Sequence, residues 1–308
     1  MIRQMHARGE LFSSALLGID EENIQPTALD LTLSEGFDPV TLMPGEETVL
    51  PLREGVRLRP GVHAIADTRS RFAKVGVEVA VLDEDGRPVK SGYDGHLQAS
   101  IRSHAFGVKV SPGMSLAQMM FLHGWPKECI ANPADYREMV PAYCRIDGKR
   151  VVMTLGLRDI GGDRGMISTV GYAAMQARDV IDLAGGTQTH AGFFRHILGC
   201  DSYDFKKGRL YITRTREALQ QTDAPMLAYV MPRKGPKEGV VVNAASLIHA
   251  GSHGQQAMEM LPDDDMTMHD GEPACYLELY RLLDVPDKRY SRENGNATDT
   301  IRGPLFRN

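Results

Sequence analysis

The sequence has 308 residues, a formal net charge of −5 and a pI near 6.1. Apolar residues make up 42% of it and charged residues 24%, which is typical of globular proteins and excludes a disordered or collagen-like chain. The acidic balance and the lack of long basic runs argue against a nucleic-acid partner. The apolar stretches are far shorter than the roughly 18 residues of a membrane-spanning helix, so we expect no membrane association.

Taken in chain order, the segments predict a mainly β protein with a few short helices. Apolar residues recur at three- and four-residue spacing in residues 11–17 and again in residues 173–182, which predicts a helix in each. Short runs rich in β-branched residues between turn signals predict strands instead. These runs are residues 49–52, 75–81, 108–110, 210–213 and 240–243.

Two domains fit this length better than one, since domains usually contain roughly 100–200 residues. Three prolines and a Gly-Gly pair fall between residues 126 and 164 and indicate a join. We therefore predict domains at residues 1–125 and 165–308, with a connecting segment at 126–164.

A faint internal repeat also favours two domains. The matching pairs are residues 53–54 with 216–217, at an offset of 163, and residues 92–95 with 251–254, at an offset of 159. Chance similarity between two β-rich halves is the alternative explanation.

The four cysteines are far apart in the sequence and form no C-x-x-C pair, which suits reduced thiols. They are Cys129, Cys144, Cys200 and Cys275. The first residues carry positive charge but are followed by no apolar segment or small-residue cleavage site, so a secretory signal is not expected. Together these features predict a cytoplasmic protein.

Four segments of the first half resemble motifs of the dCTP deaminases, which belong to the dUTPase-like superfamily. They are residues 24–33 (IQPTALDLTL), 67–77 (DTRSRFAKVGV), 92–97 (GYDGHL) and 112–118 (PGMSLAQ). The resemblance implies tandem dUTPase-like domains of β-barrel or jelly-roll-like form. It also implies a homotrimer that hydrolyses dCTP to dUTP and ammonia.

Residues 67–77 resemble the segment that holds the nucleotide phosphates in this family. Arg69, Ser70 and Lys74 match its phosphate-binding positions, so the resemblance implies a deoxynucleoside triphosphate as substrate, with Mg²⁺ bound to it. The chemistry agrees, because a turn that offers backbone N–H groups, a hydroxyl and two cations can bind triphosphate oxygens. A solvated basic turn before a strand is the alternative.

The catalytic glutamate of the family, which acts as general base, has a different match in each half. In the first half its position falls on Ser100, and a serine cannot take a proton at neutral pH without a base beside it. In the second half, residues 248–260 (IHAGSHGQQAMEM) align without a gap and place Glu259 there. Ala245 matches a small residue near the cytosine amino group. An outward-facing residue on a half-exposed strand is the alternative for Glu259.

Each half therefore keeps a different part of the family's site, since residues 232–237 lack the serine pair of the phosphate motif. The family's active sites lie between subunits. We accordingly expect one composite site in which Arg69, Ser70 and Lys74 face Glu259.

The C-terminal segment resembles the mobile arm that closes over the nucleotide in the family. Tyr290 and Arg302 match residues of that arm, so both are candidate substrate-binding residues. A plain disordered terminus is the alternative.

Other functions fit the sequence less well. The H-x-E…P-C-x-x-C signature of zinc deaminases is missing, and His249 and His253 have no third ligand nearby, so we expect neither zinc nor another protein-bound metal. A dUTP diphosphatase remains the alternative enzyme, although the acidic residues 83–85 do not keep the order of its motif. A non-catalytic deoxynucleotide-binding or regulatory protein of the same fold would account for Ser100.

Overall fold

Strands dominate the residues that the computed structural model describes. These are residues 2–13, 19, 21–137, 139–140, 143–158, 169–175, 180–184, 192–220, 226–232 and 245–283. None of the helices in these ranges is long and apolar enough to cross a membrane.

Twenty-one strands are present in the described ranges. They are β1 (Leu11–Ser13), β2 (Leu29–Thr32), β3 (Val40–Leu42), β4 (Glu47–Arg57), β5 (Val62–Thr68), β6 (Val77–Leu82), β7 (Asp94–Ser103), β8 (Val108–Val110), β9 (Ser115–His123), β10 (Arg145–Asp147), β11 (Arg150–Thr154), β12 (Thr169–Ala174), β13 (Ile181–Asp182), β14 (Phe194–Leu198), β15 (Ser202–Phe205), β16 (Tyr211–Leu219), β17 (Met226–Pro232), β18 (Leu247–Ile248), β19 (Gly254–Met260), β20 (Met266–His269) and β21 (Pro273–Arg281).

The helices in the same ranges are short. The α-helices are α1 (Ile2–Ala7), α2 (Ser70–Ala73) and α3 (Pro126–Cys129), and single 3₁₀ turns occur at Glu21–Asn23 and Pro133–Tyr136. The prediction of a mainly β protein with a few short helices is confirmed.

The individual strand predictions fare better than the helix predictions. Strands β4, β6, β8 and β16 lie where four of the five runs were predicted, and the fifth run, residues 240–243, lies outside the described residues. Both predicted helices are wrong where the structure describes them. Residues 11–13 form β1, and residues 173–182 contain the end of β12 and all of β13. Pairing with neighbouring strands has overridden the helical spacing of the apolar residues.

The described strands form six sheets. The first half contributes the orders β1-β4-β7-β6, β2-β9-β5 and β13-β8-β3, of which the last is completed by β13 from later in the chain. The second half contributes β10-β11-β21-β17-β18, β14-β12-β16-β19 and β15-β20. The sheets therefore follow the two halves of the sequence, apart from the parallel pairing of β13 with β8.

The internal repeat is visible in the strand pairings. Strand β4 pairs with β7 as β16 pairs with β19. Strand β9 lies between β2 and β5 as β21 lies between β11 and β17. The short pair β3 and β8 has its counterpart in β15 and β20. Chance similarity does not explain four corresponding pairings in the same order, so the two halves are copies of one fold.

A buried glutamate occupies the same place in each copy. Glu54 lies in the bulge of β4 and accepts a hydrogen bond from the backbone N–H of Thr32 at 2.7 Å. Glu217 lies in the bulge of β16 and accepts one from the N–H of Thr154 at 2.8 Å. Each glutamate thus forms a hydrogen bond to the last residue of a neighbouring strand, β2 in the first copy and β11 in the second. The match of residues 53–54 with 216–217 in the sequence has a structural cause.

The two halves pack directly against each other. A core cluster built mainly from first-half residues also contains Tyr172, Phe194 and Ile212 from the second half. A smaller cluster joins Met120 of β9 to Tyr280 of β21. Burial of apolar surface across this boundary stabilises the contact at about 25 cal/mol per Å².

The predicted connecting segment, residues 126–164, contains regular structure. Strands β10 and β11 lie in it, and β11 pairs with β21 of the second half. The proposed division at residues 1–125 and 165–308 stays a prediction, but these two strands belong to the second half by their pairing.

Candidate functional site

A row of three buried polar side chains crosses the sheet of β2, β9 and β5. Asp30 lies opposite Gln118, and Gln118 lies opposite Asp67. Directly opposed residues of antiparallel strands point to the same face of a sheet, so the three side chains share one face. All three are buried.

The corresponding row in the second half is different. Val152 lies opposite Tyr276, and Tyr276 lies opposite Met231. Val152 and Met231 stand where the first half has Asp30 and Asp67, and neither is charged. The two copies of the fold therefore differ in polarity at this place. The row of the first half is therefore specific to that half.

Asp67 binds the second half through hydrogen bonds. One carboxylate oxygen accepts from the backbone N–H groups of Ser246 and Leu247, the latter at 2.8 Å. The other accepts from the N–H of Thr68 at 2.9 Å. Burial raises the pKa of Asp67 to about 8, although the three N–H groups favour its charged form, and the nearby carboxyl of Glu259 raises it further.

His249 forms a second polar link between the halves. Its Nδ1 lies 2.6 Å from the hydroxyl of Thr27, and its Nε2 lies 3.2 Å from Oε1 of Gln118. A carbonyl oxygen only accepts, so Nε2 carries the proton and Nδ1 accepts from the threonine hydroxyl. Burial lowers the pKa of His249 to about 4, and the positive charge of Arg69 lowers it as well. The ring is therefore neutral at pH 7.

Arg69 is held in place at the start of α2. Its Nη1 donates to the hydroxyl of Ser115 at 2.7 Å and lies 3.0 Å from a carboxylate oxygen of Asp30. Burial raises the pKa of Asp30 to about 6, while Arg69 and a hydrogen bond from Gln25 lower it. The contacts with Ser115 and Asp30 fix the direction of the guanidinium. Because Arg69 is partly exposed, one side of the group stays open to solvent. Ser70, the first residue of α2, is exposed.

Glu259 is the most unusual group in this region. It is 2% exposed, and within the described part of the chain neither carboxylate oxygen has a hydrogen-bond partner. Burial raises the pKa of Glu259 to about 7, and the positive charge of Lys74 lowers it. A buried polar group without a partner costs about 1–3 kcal/mol, more when it is charged. Such a group calls for a functional explanation.

Comparison with known proteins matches part of the first half to a family model. Residues 35–124 match the dCTP deaminase-like family model. The chain thus contains a dCTP deaminase-like domain, which includes Asp67, Arg69, Ser70 and Lys74. Glu259 lies outside this matched segment, in the second copy of the fold.

The fold is that of a solved dCTP deaminase. The crystal structure of 2'-deoxycytidine 5'-triphosphate deaminase from Agrobacterium tumefaciens has a TM-score of 0.78 and 19% identity to this chain. The similarity covers 91% of this chain and 97% of that one, so it includes both halves. At this identity it establishes the fold alone.

More distant likeness supports no inference. A mutant dUTPase of Staphylococcus bacteriophage 80alpha, solved with dUpNHpp, has 15% identity and a TM-score of 0.27, and the match covers 35% of this chain and 87% of that one. No curated protein matches the sequence.

The structure brings two of the predicted site residues close together, Lys74 of the first half and Glu259 of the second. Lys74, which follows α2, is near enough to Glu259 to act on its pKa. Ala245 is half-buried and precedes Ser246, to which Asp67 is bound. Tyr290 and Arg302 lie outside the described residues.

Sequence reasoning missed the polar links between the halves. Asp67 and Thr27 lie inside matched motifs but had no assigned role, and His249 was considered only as a metal ligand. Gln118 is a polar residue in an otherwise apolar stretch of β9, which is a signal that could have found it. In the described ranges no group of three or more His, Cys, Asp and Glu residues is placed to hold a metal ion.

Proposed function

We propose that the chain is a hydrolase that deaminates dCTP to dUTP and ammonia without zinc, at one site shared by its two halves. The observation that carries this proposal is Glu259, a buried carboxylate with no hydrogen bond in the described ranges and with Lys74 nearby. A carboxyl whose pKa lies near 7 suits general acid–base catalysis, which is most efficient when the pKa of the group is close to the working pH.

The phosphates of the substrate bind at the start of α2. Arg69 is already oriented by Asp30 and Ser115, which lowers the cost of ordering it when an anion binds. Ser70 offers an exposed hydroxyl, and Lys74 adds a second cation. Mg²⁺ arrives with the triphosphate as part of the substrate. Tyr290 and Arg302 of the C-terminal segment complete the set of substrate-binding residues.

In this proposal the cytosine ring of the substrate lies between Ala245 and Glu259. Glu259 takes a proton from a water molecule as the water oxygen forms a bond to C4 of the cytosine ring. The same carboxyl then gives that proton to the exocyclic nitrogen as the C4–N bond breaks. The second proton of the water passes from the new C4 hydroxyl to N3, so that ammonia leaves and a C4 carbonyl remains. One water is consumed, and no redox partner is needed.

The decisive experiment is to incubate the purified protein with dCTP and, separately, with dUTP, and to follow release of ammonia and pyrophosphate. Ammonia from dCTP is the expected product. Pyrophosphate from dUTP would move the assignment to a dUTP diphosphatase. If a nucleotide binds and neither product forms, the protein is a deoxynucleotide-binding or regulatory protein of this fold.

The remaining features follow from the resemblance. We propose a homotrimer in the cytoplasm that acts on a free nucleotide in pyrimidine deoxynucleotide metabolism, with no nucleic-acid or membrane partner. Light scattering measures the oligomeric state directly.

A further inference from the structure

Asp67 links two segments that are far apart in sequence, beside the proposed site. Its carboxylate accepts hydrogen bonds from the backbone N–H groups of Ser246 and Leu247 in the second half and from Thr68 in its own strand. The side chain is buried, so water cannot readily replace these bonds.

The choice of a carboxylate at this position is costly. A neutral amide or hydroxyl oxygen would accept a backbone N–H without the cost of burying an ionisable group, a cost that appears here as the rise in the pKa of Asp67 to about 8. Glu259 lies close enough to raise the pKa of Asp67, so two buried carboxyls are neighbours here. Packing of the halves alone does not require that arrangement, because buried apolar contacts already join them.

The residues next to Asp67 and Ser246 in the sequence indicate why a carboxylate links the halves here. Asp67 precedes Arg69 by two residues on the segment proposed to bind phosphate. Ser246 directly follows Ala245, which is proposed to contact the base. A single side chain therefore connects the segment for one end of the nucleotide with the segment for the other.

We propose that Asp67 is a positioning residue that fixes the distance between the phosphate-binding residues of the first half and the base-binding wall at Ala245 of the second half. This inference rests on the proposed nucleotide site. Asp67 itself contacts neither phosphate nor base. Its loss leaves each segment able to bind its own part of the ligand but no longer at the correct spacing.

The test compares ligands that need one segment with ligands that need both. Binding of dCTP with Mg²⁺ and of inorganic tripolyphosphate with Mg²⁺ is measured by calorimetry for wild type, Asp67→Ala and Asp67→Asn. We expect Asp67→Ala to weaken dCTP binding about 10- to 100-fold, the range for loss of the two hydrogen bonds that join the halves, while tripolyphosphate binding stays at the wild-type value. Asp67→Asn keeps one acceptor oxygen and restores part of the dCTP affinity.

Glu54→Gln is the matched control. Glu54 is also a buried carboxylate that accepts a backbone N–H, from Thr32, but both residues lie in the first half. The control should lower the melting temperature and leave binding of both ligands unchanged. It also shows how much of any effect at Asp67 is a general loss of stability.

The possible outcomes separate this inference from the proposed reaction. Wild-type protein that binds dCTP but releases no ammonia refutes deamination, and the comparison of dCTP with tripolyphosphate still decides the role of Asp67. Equal weakening of both ligands in Asp67→Ala, or unchanged binding of both, overturns the positioning role. So does a folded Asp67→Asn variant that binds dCTP no better than Asp67→Ala.

Discussion

Ser100 and Glu259 occupy equivalent positions in the two copies of the fold. Ser100 lies opposite Val49 in the pairing of β7 with β4, and Glu259 lies opposite Ile212 in the pairing of β19 with β16. Val49 and Ile212 are separated by the offset of the internal repeat, 163 residues. The hydroxyl of Ser100 donates to a carboxylate oxygen of Glu47 at 2.5 Å, whereas the carboxylate oxygens of Glu259 have no such partner in the described ranges. At this position of the fold, the first copy therefore has a hydroxyl with a hydrogen-bond partner, and the second copy has a buried carboxyl without one in the described ranges.

Replacement of Glu259 by glutamine tests the proposed general base. The amide has nearly the same shape but cannot take a proton from water at neutral pH. We expect kcat for ammonia release to fall by about 10²- to 10⁴-fold, the usual contribution of general acid–base catalysis, with little change in dCTP affinity. Ser100→Ala is the matched control at the equivalent position and should keep full activity. Comparable losses in the two variants would contradict the assignment of the base to the second half.

The same substitution should stabilise the protein at alkaline pH. The pKa of Glu259 is about 7 in the folded chain, above the ordinary value of 4.5 for a glutamate. The folded state therefore holds a proton that the unfolded state releases between these values, and stability falls as pH rises through that window. The loss is on the order of 3 kcal/mol above pH 7.

Glu259→Gln removes this loss. Urea unfolding should give a larger free energy of unfolding than wild type at pH 8 and a similar one at pH 4.5. Glu128→Gln, at an exposed position, should show no such difference. If Glu259→Gln is no more stable than wild type at pH 8, the carboxyl is not buried without a partner as the structure has it.

The sequence predicted the fold well because the repeat leaves local marks. The Arg-Glu pair at residues 53–54 recurs at residues 216–217, and in both places the glutamate binds a threonine N–H from inside a bulge. The helix predicted at residues 173–182 failed because the spacing of its small apolar residues fits a helix as well as a strand. Pairing of β12 with β14 and β16, which no local window contains, decided the outcome.

The site could be predicted only in part. Glu259 and Lys74 came from motifs that each lie in one short segment. The links made by Asp67 and His249 join segments that are 179 and 222 residues apart in sequence. Burial and hydrogen bonds of that kind arise from the packing of two copies of a fold, and a single sequence contains no direct trace of them.

His249 should make the protein sensitive to acid. Its pKa is about 4 in the folded chain, below the ordinary value of 6.5 for a histidine. Between these two values the unfolded state binds a proton that the folded state does not bind. The stabilisation by the neutral ring is complete above pH 6.5 and is lost as pH falls through about 4. The total is on the order of 3 kcal/mol.

A glutamine at this position cannot be protonated, so His249→Gln should remove the acid sensitivity together with the link to Thr27. The free energy of unfolding is measured from pH 7.5 to pH 4.5, and the difference between wild type and variant should shrink as pH falls. His123→Gln, at an exposed position, should keep a constant difference. A constant difference for His249→Gln as well would mean that the ring is protonated in the folded chain.

Lys74 should act on both phosphate binding and the titration of Glu259. Charge-assisted hydrogen bonds to phosphate are the stronger part of nucleotide binding, so dCTP with Mg²⁺ should raise the melting temperature of wild type while deoxycytidine has little effect. Lys74→Ala should lose most of the dCTP effect. The positive charge of Lys74 lowers the pKa of Glu259, so its removal should move the acidic limb of the pH–rate profile to higher pH. Activity of the variant then falls at a pH where wild type is still active.

Two further variants make this test specific to the position and charge of Lys74. Lys74→Arg keeps a cation beside Glu259 and should restore both the dCTP-dependent rise in melting temperature and the wild-type acidic limb. Lys109→Ala removes a lysine that pairs with Asp182 at 3.1 Å and should change neither property. Loss of phosphate affinity without a shift of the pH–rate profile would separate Lys74 from Glu259 and remove the main electrostatic support for one composite site. A shift in Lys74→Ala that Lys74→Arg reverses requires the two side chains to act on each other across the two halves.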